Sequence, residues 1–561
     1  MPFGERDARE LMLGRRLTRR TAVKVGVAGT VAATVAGSSF GGIREAAAGA
    51  SRVQEDPATL TVVLNGSPSD LDPHSQYDYR STLAVRGPYE GLIGLKDDKT
   101  DEYVGLIAES WEPNQDRSVW TFRLREGVTF QDGSPCDAEA VRRSYERLLT
   151  LGQGAVNVVS RFVDDPSRIS APDPRTVVFD LGRPQPLFEA AMAATLGVQV
   201  VNVRVAMEHE EDGDQGNAWL QLNAEGTGTG PYRIAEFRPG EQVVMERYDG
   251  YWGGWDGEHF DRIVIRVVEE AETRRQLIER GEADVADAVT PEALAELEQN
   301  PDLVVDRSPS TEVAYFVLTE AGPLASPEAR QAMCYAFPYQ EVIDGVYNGA
   351  PTQARGPVAD CVRGFSPEAV GYTTDLARAR ELFAQAGVAK GTELTLMTQT
   401  GAELVRSSAQ LFQANLEEVG IRLSIEEVDT SIFTDTFYGD APAEERPHVM
   451  PWSWWPDYND AWNQLYPIVS CDSWGSNGGN GGFYCNERVD ELLAQARDAA
   501  DPEAYRAAVA EAQRIVSGDD PAAIYYLQGR WTTILRRNIL GFVFNPINVG
   551  TFDFYRMSRA A

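Results

Sequence analysis

The segment WSWWPDYNDAW, residues 452–462, places four of the eleven tryptophans of the chain beside two carboxylates, Asp457 and Asp460. Tryptophan supplies a large and rigid contact area at a small cost in conformational entropy. A fixed carboxylate neutralises a cation that would otherwise be buried without a partner. The segment therefore has the composition of a binding-site wall, suited to a cationic ligand or to a ring that stacks on indole.

The tryptophans of this segment cannot all face one ligand. Because successive strand residues point to opposite faces, Trp452 and Trp454 share one face and Trp455 points the other way, so at least one of the three is expected in the core. Asp457 is interpreted as the ligand partner, with a turn or a helix cap as the alternative for PDYND. Asp460 is interpreted as a cap or a solvated charge.

Length and charge restrict the class of protein. The chain has 561 residues and a formal net charge of −34. This length predicts about three lobes rather than one core. An acidic surface cannot neutralise phosphates, so a nucleic-acid partner is excluded. No run of 18 or more apolar residues occurs beyond the N-terminal segment, which excludes a membrane protein with several spans.

Residues 1–50 have the layout of a signal peptide, with a charged region, a weakly apolar stretch and an Ala-Gly-Ala cleavage site at residues 48–50. The stretch TRRTAVK, residues 18–24, resembles the twin-arginine export motif, and an ordinary export signal is the alternative. We therefore predict an extracytoplasmic protein, in the periplasm or at the cell surface. No cysteine lies near the cleavage site to carry a lipid, so cleavage frees the protein or an uncleaved segment tethers it.

Five cysteines lie in the exported part, where disulfides persist. Cys471 and Cys485 bracket a glycine-rich loop and are the first candidate pair; Cys334 and Cys361 are the second, which leaves Cys136 unpaired. A zinc site is the competing interpretation, but the chain has no CxxC pair and only four histidines, none spaced like a ligand set. We expect no metal and no cofactor.

The C-terminal half predicts a β-α-β unit. Residues 393–399 read as a strand, a helix with one apolar face runs to Val419 before the stop at Gly420, and residues 421–428 alternate as the next strand. Residues 448–455 form a third predicted strand. Ligands of doubly wound sheets sit at the carboxyl ends of the strands, and PDYND begins where this third strand ends.

The other elements are less distinctive. Residues 59–66 read as a first strand, and a helix is expected to begin at Asp137 within a modest α/β lobe. Residues 522–528 form a predicted strand near the C-terminus. The aromatic tail, residues 539–556, looks strand-like and is expected to pair back into another lobe.

Several stretches coincide with one family. They are LDPH (71–74), YEGL (89–92), residues 106–135, residues 228–252, GEADV (281–285) and residues 328–349. Together, and in this order, they resemble the peptide/nickel class (family 5) of extracytoplasmic solute-binding proteins that serve ABC importers. The resemblance covers nearly the whole exported chain.

The resemblance implies an α/β fold of the periplasmic-binding-protein type (type II), with three lobes and a ligand cleft between two of them. The implied boundaries are residues 52–98, 227–305 and 533–561 (a C-terminal strand) for lobe I, 99–226 for lobe II, and 306–532 for lobe III. Closure of lobes I and III about a hinge would enclose the ligand.

The family resemblance also implies a binding role for the opening segment. In oligopeptide-binding members a Trp-x-x-Asp-Tyr stretch lines the cleft and its Asp pairs with the α-ammonium group of the peptide, which is held as an added strand. Trp454, Asp457 and Tyr458 match that stretch. Pro456 and the bulky Trp455 depart from a roomy pocket, which leaves dipeptides or another small ligand open.

The candidate ligand contacts come from three places in the chain. Asn65 and Ser67 follow the first predicted strand, and Tyr315 and Thr319 lie near the crossing between lobes I and III. The full set is Trp452, Trp454, Trp455, Asp457, Tyr458, Asn459, Asn65, Ser67, Tyr315 and Thr319.

These observations favour a receptor without catalytic activity, a monomer that captures a dipeptide or oligopeptide and delivers it to the permease subunits of an ABC importer. The same fold with an oligosaccharide ligand is the alternative, since tryptophans stack on sugar rings. A secreted glycoside hydrolase is more remote, because Asp457 and Asp460 are three residues apart whereas catalytic carboxylates converge from separate strands. No nucleophile elbow or metal motif is present.

Overall fold

The computed structural model describes residues 58–287, 289–475, 478–548 and 550–560. The predicted signal peptide, its twin-arginine motif and any N-terminal tether lie outside the described residues. Within them, no helix combines the length and apolar character needed to cross a membrane.

The strands, in chain order, are β1 (Thr59–Leu64), β2 (Ile93–Leu95), β3 (Tyr103–Gly105), β4 (Ala108–Pro113), β5 (Val119–Leu124), β6 (Ile169–Asp173), β7 (Thr176–Asp180), β8 (Tyr232–Arg238), β9 (Gln242–Arg247), β10 (Arg262–Val267), β11 (Val285–Asp287), β12 (Leu303–Leu318), β13 (Glu393–Gln399), β14 (Arg422–Val428), β15 (Val449–Trp454), β16 (Ala523–Arg536), β17 (Ile539–Leu540) and β18 (Ser558–Arg559). The helices are α1 (Tyr79–Val85), α2 (Ala138–Leu151), α3 (Asn157–Ser160), α4 (Phe188–Met192), α5 (Val203–Glu208), α6 (Asn217–Leu220), α7 (Ala271–Arg280), α8 (Pro291–Leu297), α9 (Pro327–Ala336), α10 (Tyr339–Glu341), α11 (Leu376–Gln385), α12 (Glu403–Val419), α13 (Thr430–Phe437), α14 (Ala461–Val469), α15 (Glu487–Asp498) and α16 (Pro502–Arg514).

A ten-stranded mixed sheet runs through the molecule in the order β14-β13-β15-β12-β16-β11-β1-β10-β9-β8. Its middle is made by β12 and β16, of 16 and 14 residues, which pair antiparallel from Leu303↔Arg536 to Val317↔Ala523. One end of β16 pairs with β11 and the far end of β12 pairs with β15. These two strands therefore join the two halves of the sheet.

The predicted β-α-β unit is present. β13 and β14 are parallel over their full length, and α12 connects them. Gly420 ends α12 in the left-handed conformation, with φ of 90°. Leu396 of β13 pairs in parallel with Val449 of β15, so the third strand also lies where the crossover rule places it.

A separate four-stranded antiparallel sheet, β4-β5-β7-β6, packs against α2. The helix begins as predicted, because the Asp137 side chain caps it by accepting from the Ala140 N–H at 2.9 Å. Trp120, Phe122 and Phe179 on the sheet are buried together with Tyr145 of α2. This element set forms the modest α/β unit expected before residue 226.

The aromatic tail forms less strand than its composition predicts. β16 itself continues to Arg536 and pairs with β11, whereas the tail contributes only the two-residue strands β17 and β18, which pair with each other. A side chain at Gly541, where φ is 75°, would overlap the Arg556 carbonyl oxygen, because the chain folds back on itself there. The tail still returns to the β1 half, since Phe552 and Phe554 pack in the cluster that contains Leu60.

The cysteines follow one of the two predicted pairs. Cys471 and Cys485 form a disulfide that closes the glycine-rich loop. The predicted Cys334–Cys361 pair is wrong, because both thiols are free. Cys334 lies on α9 in one hydrophobic cluster and Cys361 packs against another, beside the Ser310 carbonyl, so the two thiols belong to different cores.

Candidate functional site

The carboxyl ends of β13 and β15 diverge and leave a cavity between them. Within the described residues, the two strands share the single pair Leu396↔Val449, whereas β15 pairs with β12 from Val449 to Trp454. The β13-facing edge of β15 is therefore open beyond Val449. Pro451 lies in this stretch, and a proline is tolerated within a strand where its nitrogen needs no partner.

The cavity beside this open edge has a volume of about 590 Å³ and is lined by apolar, aromatic and charged side chains. Trp455 and Ser453 form one wall, with Gln399 from the end of β13 across from them. Tyr347 and Tyr526 add aromatic surface. Three charged residues also line it: Arg307, Glu312 and Arg530.

Asp457 lies just beyond the end of β15 and contacts the other end of the chain. Its carboxylate accepts a hydrogen bond from the Tyr77 hydroxyl at 2.6 Å, and its backbone N–H donates to the Asn463 side chain at 2.6 Å. Burial raises the pKa of Asp457, while the Tyr77 hydrogen bond and the Arg161 charge oppose this rise. Asp457 is thus a carboxyl whose ionised form gains from a cation.

Tyr77 is 49% exposed, but its hydroxyl lies in a cleft with protein groups around it. The surrounding protein and the Asp457 carboxylate raise its pKa well above the ordinary tyrosine value, so the hydroxyl remains a donor. A second cavity of about 50 Å³ lies between the Tyr77–Thr82 segment and Trp454, Trp455 and Pro456. Trp455 lines both cavities and separates them.

The tryptophans divide between packing and exposed wall. Trp452 and Trp454 both pack against the same hydrophobic cluster. Trp452 is stacked on Phe437, with ring centroids 4.4 Å apart, so one face of its indole is already covered. The buried indole N–H of Trp454 has no acceptor among the described residues.

The residues after Asp457 serve structure. Asp460 caps α14 by accepting from the Trp462 N–H at 2.8 Å and forms an ion pair with Arg363, as predicted for a cap. The candidate contact Tyr458 has 0% exposure and packs near Phe162. The candidate Asn459 bridges the backbone of Arg363 and Thr100. The last two side chains are therefore held in the protein interior and line neither cavity.

The two candidates after the first strand are tied to the β1 half of the sheet. The Asn65 side chain accepts from Arg80, which is itself paired with Asp287. The Ser67 hydroxyl accepts from the Gly240 N–H at 2.8 Å in the β8–β9 turn. Neither side chain lines the two cavities described above.

The two candidates on or after β12 are also buried. Tyr315 has 1% exposure and its ring lies 5.7 Å from that of Tyr525. The Thr319 hydroxyl donates to the Pro447 carbonyl oxygen at 2.6 Å. Their proximity to the open strand is real, but their side chains point into packed regions. Neither side chain lines the two cavities.

Several lining residues escaped the sequence analysis, Tyr77 and Glu312 among them. Tyr77 lies in a turn-rich stretch that carried no motif, and only its contact with Asp457, 380 positions away, marks it. Glu312 does carry a signal, since it interrupts the largely apolar end of β12, TEVAYFVL. A carboxylate within a buried strand requires a reason that packing does not supply.

Comparisons with known proteins identify the family of the chain. The family model for bacterial extracellular solute-binding proteins, family 5, matches residues 102–476. A probable D,D-dipeptide-binding periplasmic protein, DdpA of Escherichia coli K12, is 30% identical over 505 residues, which covers 89% of this chain and 94% of that protein. The glutathione-binding protein GsiB of Shigella dysenteriae is 26% identical over 497 residues, covering 88% and 93%.

A solved structure shows the same fold. The periplasmic binding protein DppA from Helicobacter pylori, in complex with the peptide STSA, superimposes with a TM-score of 0.75 at 23% identity, over 90% of this chain and 98% of that one. The architecture is thus that of the periplasmic binding proteins. Members of the matched family are transport receptors, so the chain is not an enzyme and the glycoside hydrolase alternative is excluded. The chain belongs to the family 5 bacterial extracellular solute-binding proteins.

Proposed function

We propose that this protein is an extracytoplasmic receptor that captures a short peptide and delivers it to the permease subunits of an ABC importer. One observation carries the proposal: the open edge of β15 borders a cavity of about 590 Å³, and a carboxyl, Asp457, stands just beyond the end of that strand.

The open edge supplies what a peptide backbone needs. An extended peptide can add to an exposed strand through main-chain hydrogen bonds, and pockets beside the strand accept its alternate side chains. β15 offers such an edge beyond Val449, and the cavity borders it at Pro451, Ser453 and Trp455. Backbone recognition of this kind tolerates variation in side-chain identity. A sugar has no main chain to add to this edge.

Asp457 supplies the charge complement for the α-ammonium group. Burial raises the pKa of its carboxyl, because the ionised form loses contact with water. A bound ammonium group stabilises that ionised form and offsets part of the lost solvation. The Tyr77 hydroxyl donates to that carboxyl at 2.6 Å and so restricts its orientation. The candidate contacts we retain as ligand wall are Trp452, Trp454 and Trp455, which line the cavities.

The size of the cavity favours a small ligand. Small-molecule sites typically measure about 300–1,000 Å³, and the cavity beside β15 falls in the lower part of this range. The relatives whose names state a ligand, a D,D-dipeptide and glutathione, also bind short peptides. We therefore propose a di- or tripeptide rather than a long peptide.

Closure of the cleft is assigned to β12 and β16. These strands join the two halves of the sheet, and their register shifts between Pro309 and Val313 and again between Ala314 and Tyr315. A bulge weakens the ladder locally and lets two packed units move about it. The proposed lobes keep the boundaries implied by the family resemblance. The pairing of Thr533–Leu535 in β16 with β11 supports residues 533–561 as the C-terminal part of lobe I.

The location follows from the family. Family 5 solute-binding proteins are extracytoplasmic, and we propose the twin-arginine route for export of this one. We propose a monomeric receptor, since the binding site is built from one chain. A tether through the N-terminal segment is the alternative to release after cleavage.

Isothermal titration with L-alanyl-L-alanine and with cellobiose tests the ligand class. We expect the peptide to bind, and Asp457→Asn to weaken it by about 30-fold, because loss of one partner from a buried charge pair costs about 2 kcal/mol or more. Asp435→Asn, an exposed carboxylate on α13, is the matched control and should leave binding unchanged. Binding of cellobiose alone, abolished by Trp455→Ala, would replace the peptide receptor with the sugar receptor.

A further inference from the structure

Glu312 occupies an unusual position in β12. It lies within the register shift between Pro309 and Val313, next to the pair Val313↔Trp454. Its backbone N–H donates to the Ser310 hydroxyl at 3.0 Å, outside the sheet ladder. The Glu312 carboxyl faces the 590 Å³ cavity, on whose wall Trp455 lies one residue beyond Trp454.

Side chains from other elements fix this bulge. The Ser310 carbonyl oxygen accepts from the Gln528 side chain at 3.0 Å, and the Thr311 carbonyl oxygen accepts from the Gln464 side chain at 2.8 Å. The Thr311 hydroxyl donates to the Pro546 carbonyl oxygen at 3.2 Å. The backbone that carries Glu312 is thus held from several sides, and the direction of its carboxyl is determined before a ligand arrives.

No basic group of the described chain lies within 4.0 Å of the Glu312 carboxyl. Arg307, which lines the same cavity, pairs with Glu298 at 2.7 Å, and the side chain of Arg530 is exposed to solvent. Burial raises the pKa of Glu312, and a hydrogen bond from Ser453 offsets only part of the rise. The ionised form of a half-buried carboxyl is destabilised unless a positive charge lies beside it, and here a ligand could supply that charge.

The rest of the cavity suits a cation on an alkyl stem. Tyr347, Tyr526 and Trp455 line it with aromatic surface, which attracts cations by their ring quadrupoles. Gly529 stands opposite the carboxyl, and a β-carbon placed there would lie 3.6 Å from the Glu312 carboxylate oxygen. The absence of a side chain at Gly529 keeps the approach to Glu312 free.

We propose that Glu312 is a second anionic subsite, which binds a cationic side chain of the ligand, so that the preferred peptides carry lysine, ornithine or arginine. The inference rests on the proposed peptide receptor and deepens it. Glu312 precedes Val313, which pairs with Trp454 at the end of β15, and it lines the same cavity as Ser453 and Trp455. A peptide bound in this cavity along β15 therefore meets Glu312. An acidic side chain in the same place is repelled.

Titration calorimetry with matched dipeptides tests the subsite on the full-length protein. The pairs are Ala-Lys against Ala-norleucine and Lys-Ala against norleucine-Ala, which have similar stems and differ in the terminal charge. We expect the better lysine peptide to bind at least 10-fold more tightly than its norleucine partner. Glu312→Gln should remove this preference and leave the norleucine affinity within about twofold, while Glu341→Gln, an exposed control, should keep it.

Charge reversal gives an independent readout. Glu312→Lys should bind Ala-Glu or Glu-Ala more tightly than the lysine peptides, provided thermal unfolding confirms that the variant is folded. Equal affinity of the wild type for lysine and norleucine peptides, or a preference that survives Glu312→Gln, overturns the subsite and leaves the peptide receptor intact. Failure of every dipeptide to bind overturns both proposals.

Discussion

The hydrogen bond between Tyr77 and Asp457 should set the pH dependence of ligand binding. Its length is 2.6 Å, and it opposes the rise in the Asp457 pKa that burial causes. A hydrogen bond to a charged group contributes about 1.5–3 kcal/mol, and one pKa unit corresponds to about 1.4 kcal/mol. Because Tyr77 is 49% exposed, we take about half of this value, a rise of about 0.5–1 pH unit in the Asp457 pKa for Tyr77→Phe.

The assay is calorimetric titration with L-alanyl-L-alanine between pH 4 and pH 7, where the α-amino group of the peptide stays protonated. Asp457 must be ionised to hold the ammonium, so affinity falls as pH falls through its pKa. Tyr77→Phe should move the midpoint of this fall to higher pH by about 0.5–1 unit. Tyr438→Phe, a neighbouring aromatic control, should not move it. A midpoint that stays fixed or moves to lower pH would refute the role of the Tyr77 hydroxyl.

Two further predictions concern stability. Replacing Cys471 and Cys485 by serine removes the closure of their loop and should destabilise the protein by about 3 kcal/mol, seen as a lower midpoint in urea unfolding; an unchanged midpoint contradicts it. Glu90 is buried among hydroxyl and indole donors including Trp252, and burial raises its pKa to about 7, so its proton stabilises the fold at low pH and this stabilisation is lost as pH rises from about 4 through 7. Glu90→Gln should flatten that loss in thermal unfolding, and an unchanged slope would contradict the assignment.

The elements that sequence could predict are those whose signals are local. Gly420 ends a helix because a left-handed residue is required there, and Asp137 caps a helix through a hydrogen bond made within a few residues. The parallel arrangement of β13, β14 and β15 follows from the crossover rule, which needs only the order of the elements. These features required no knowledge of distant contacts.

The elements that sequence missed depend on residues far apart in the chain. The aromatic tail has the composition of a strand, yet β16 continues past its predicted end and its last residues occupy the position beside β11. Cys334 and Cys361 are close in sequence but separated by the packing of two different cores. Composition and spacing indicate local conformation. They do not indicate which of two distant segments pairs with a given strand, or which cysteines come together.

In the candidate site, too, some features follow from local sequence and others depend on distant contacts. Sequence placed Trp455 and Asp457 at the end of a strand, and that is where they lie. It could not show that Tyr458 and Asn459 turn inward, because their burial is decided by Phe162 and Thr100 from another part of the chain. It also could not show that β13 leaves β15 after a single residue pair. That divergence creates the open edge and contributes to the cavity that Glu312 lines. The proposed ligand subsite therefore arises from strand geometry rather than from any motif.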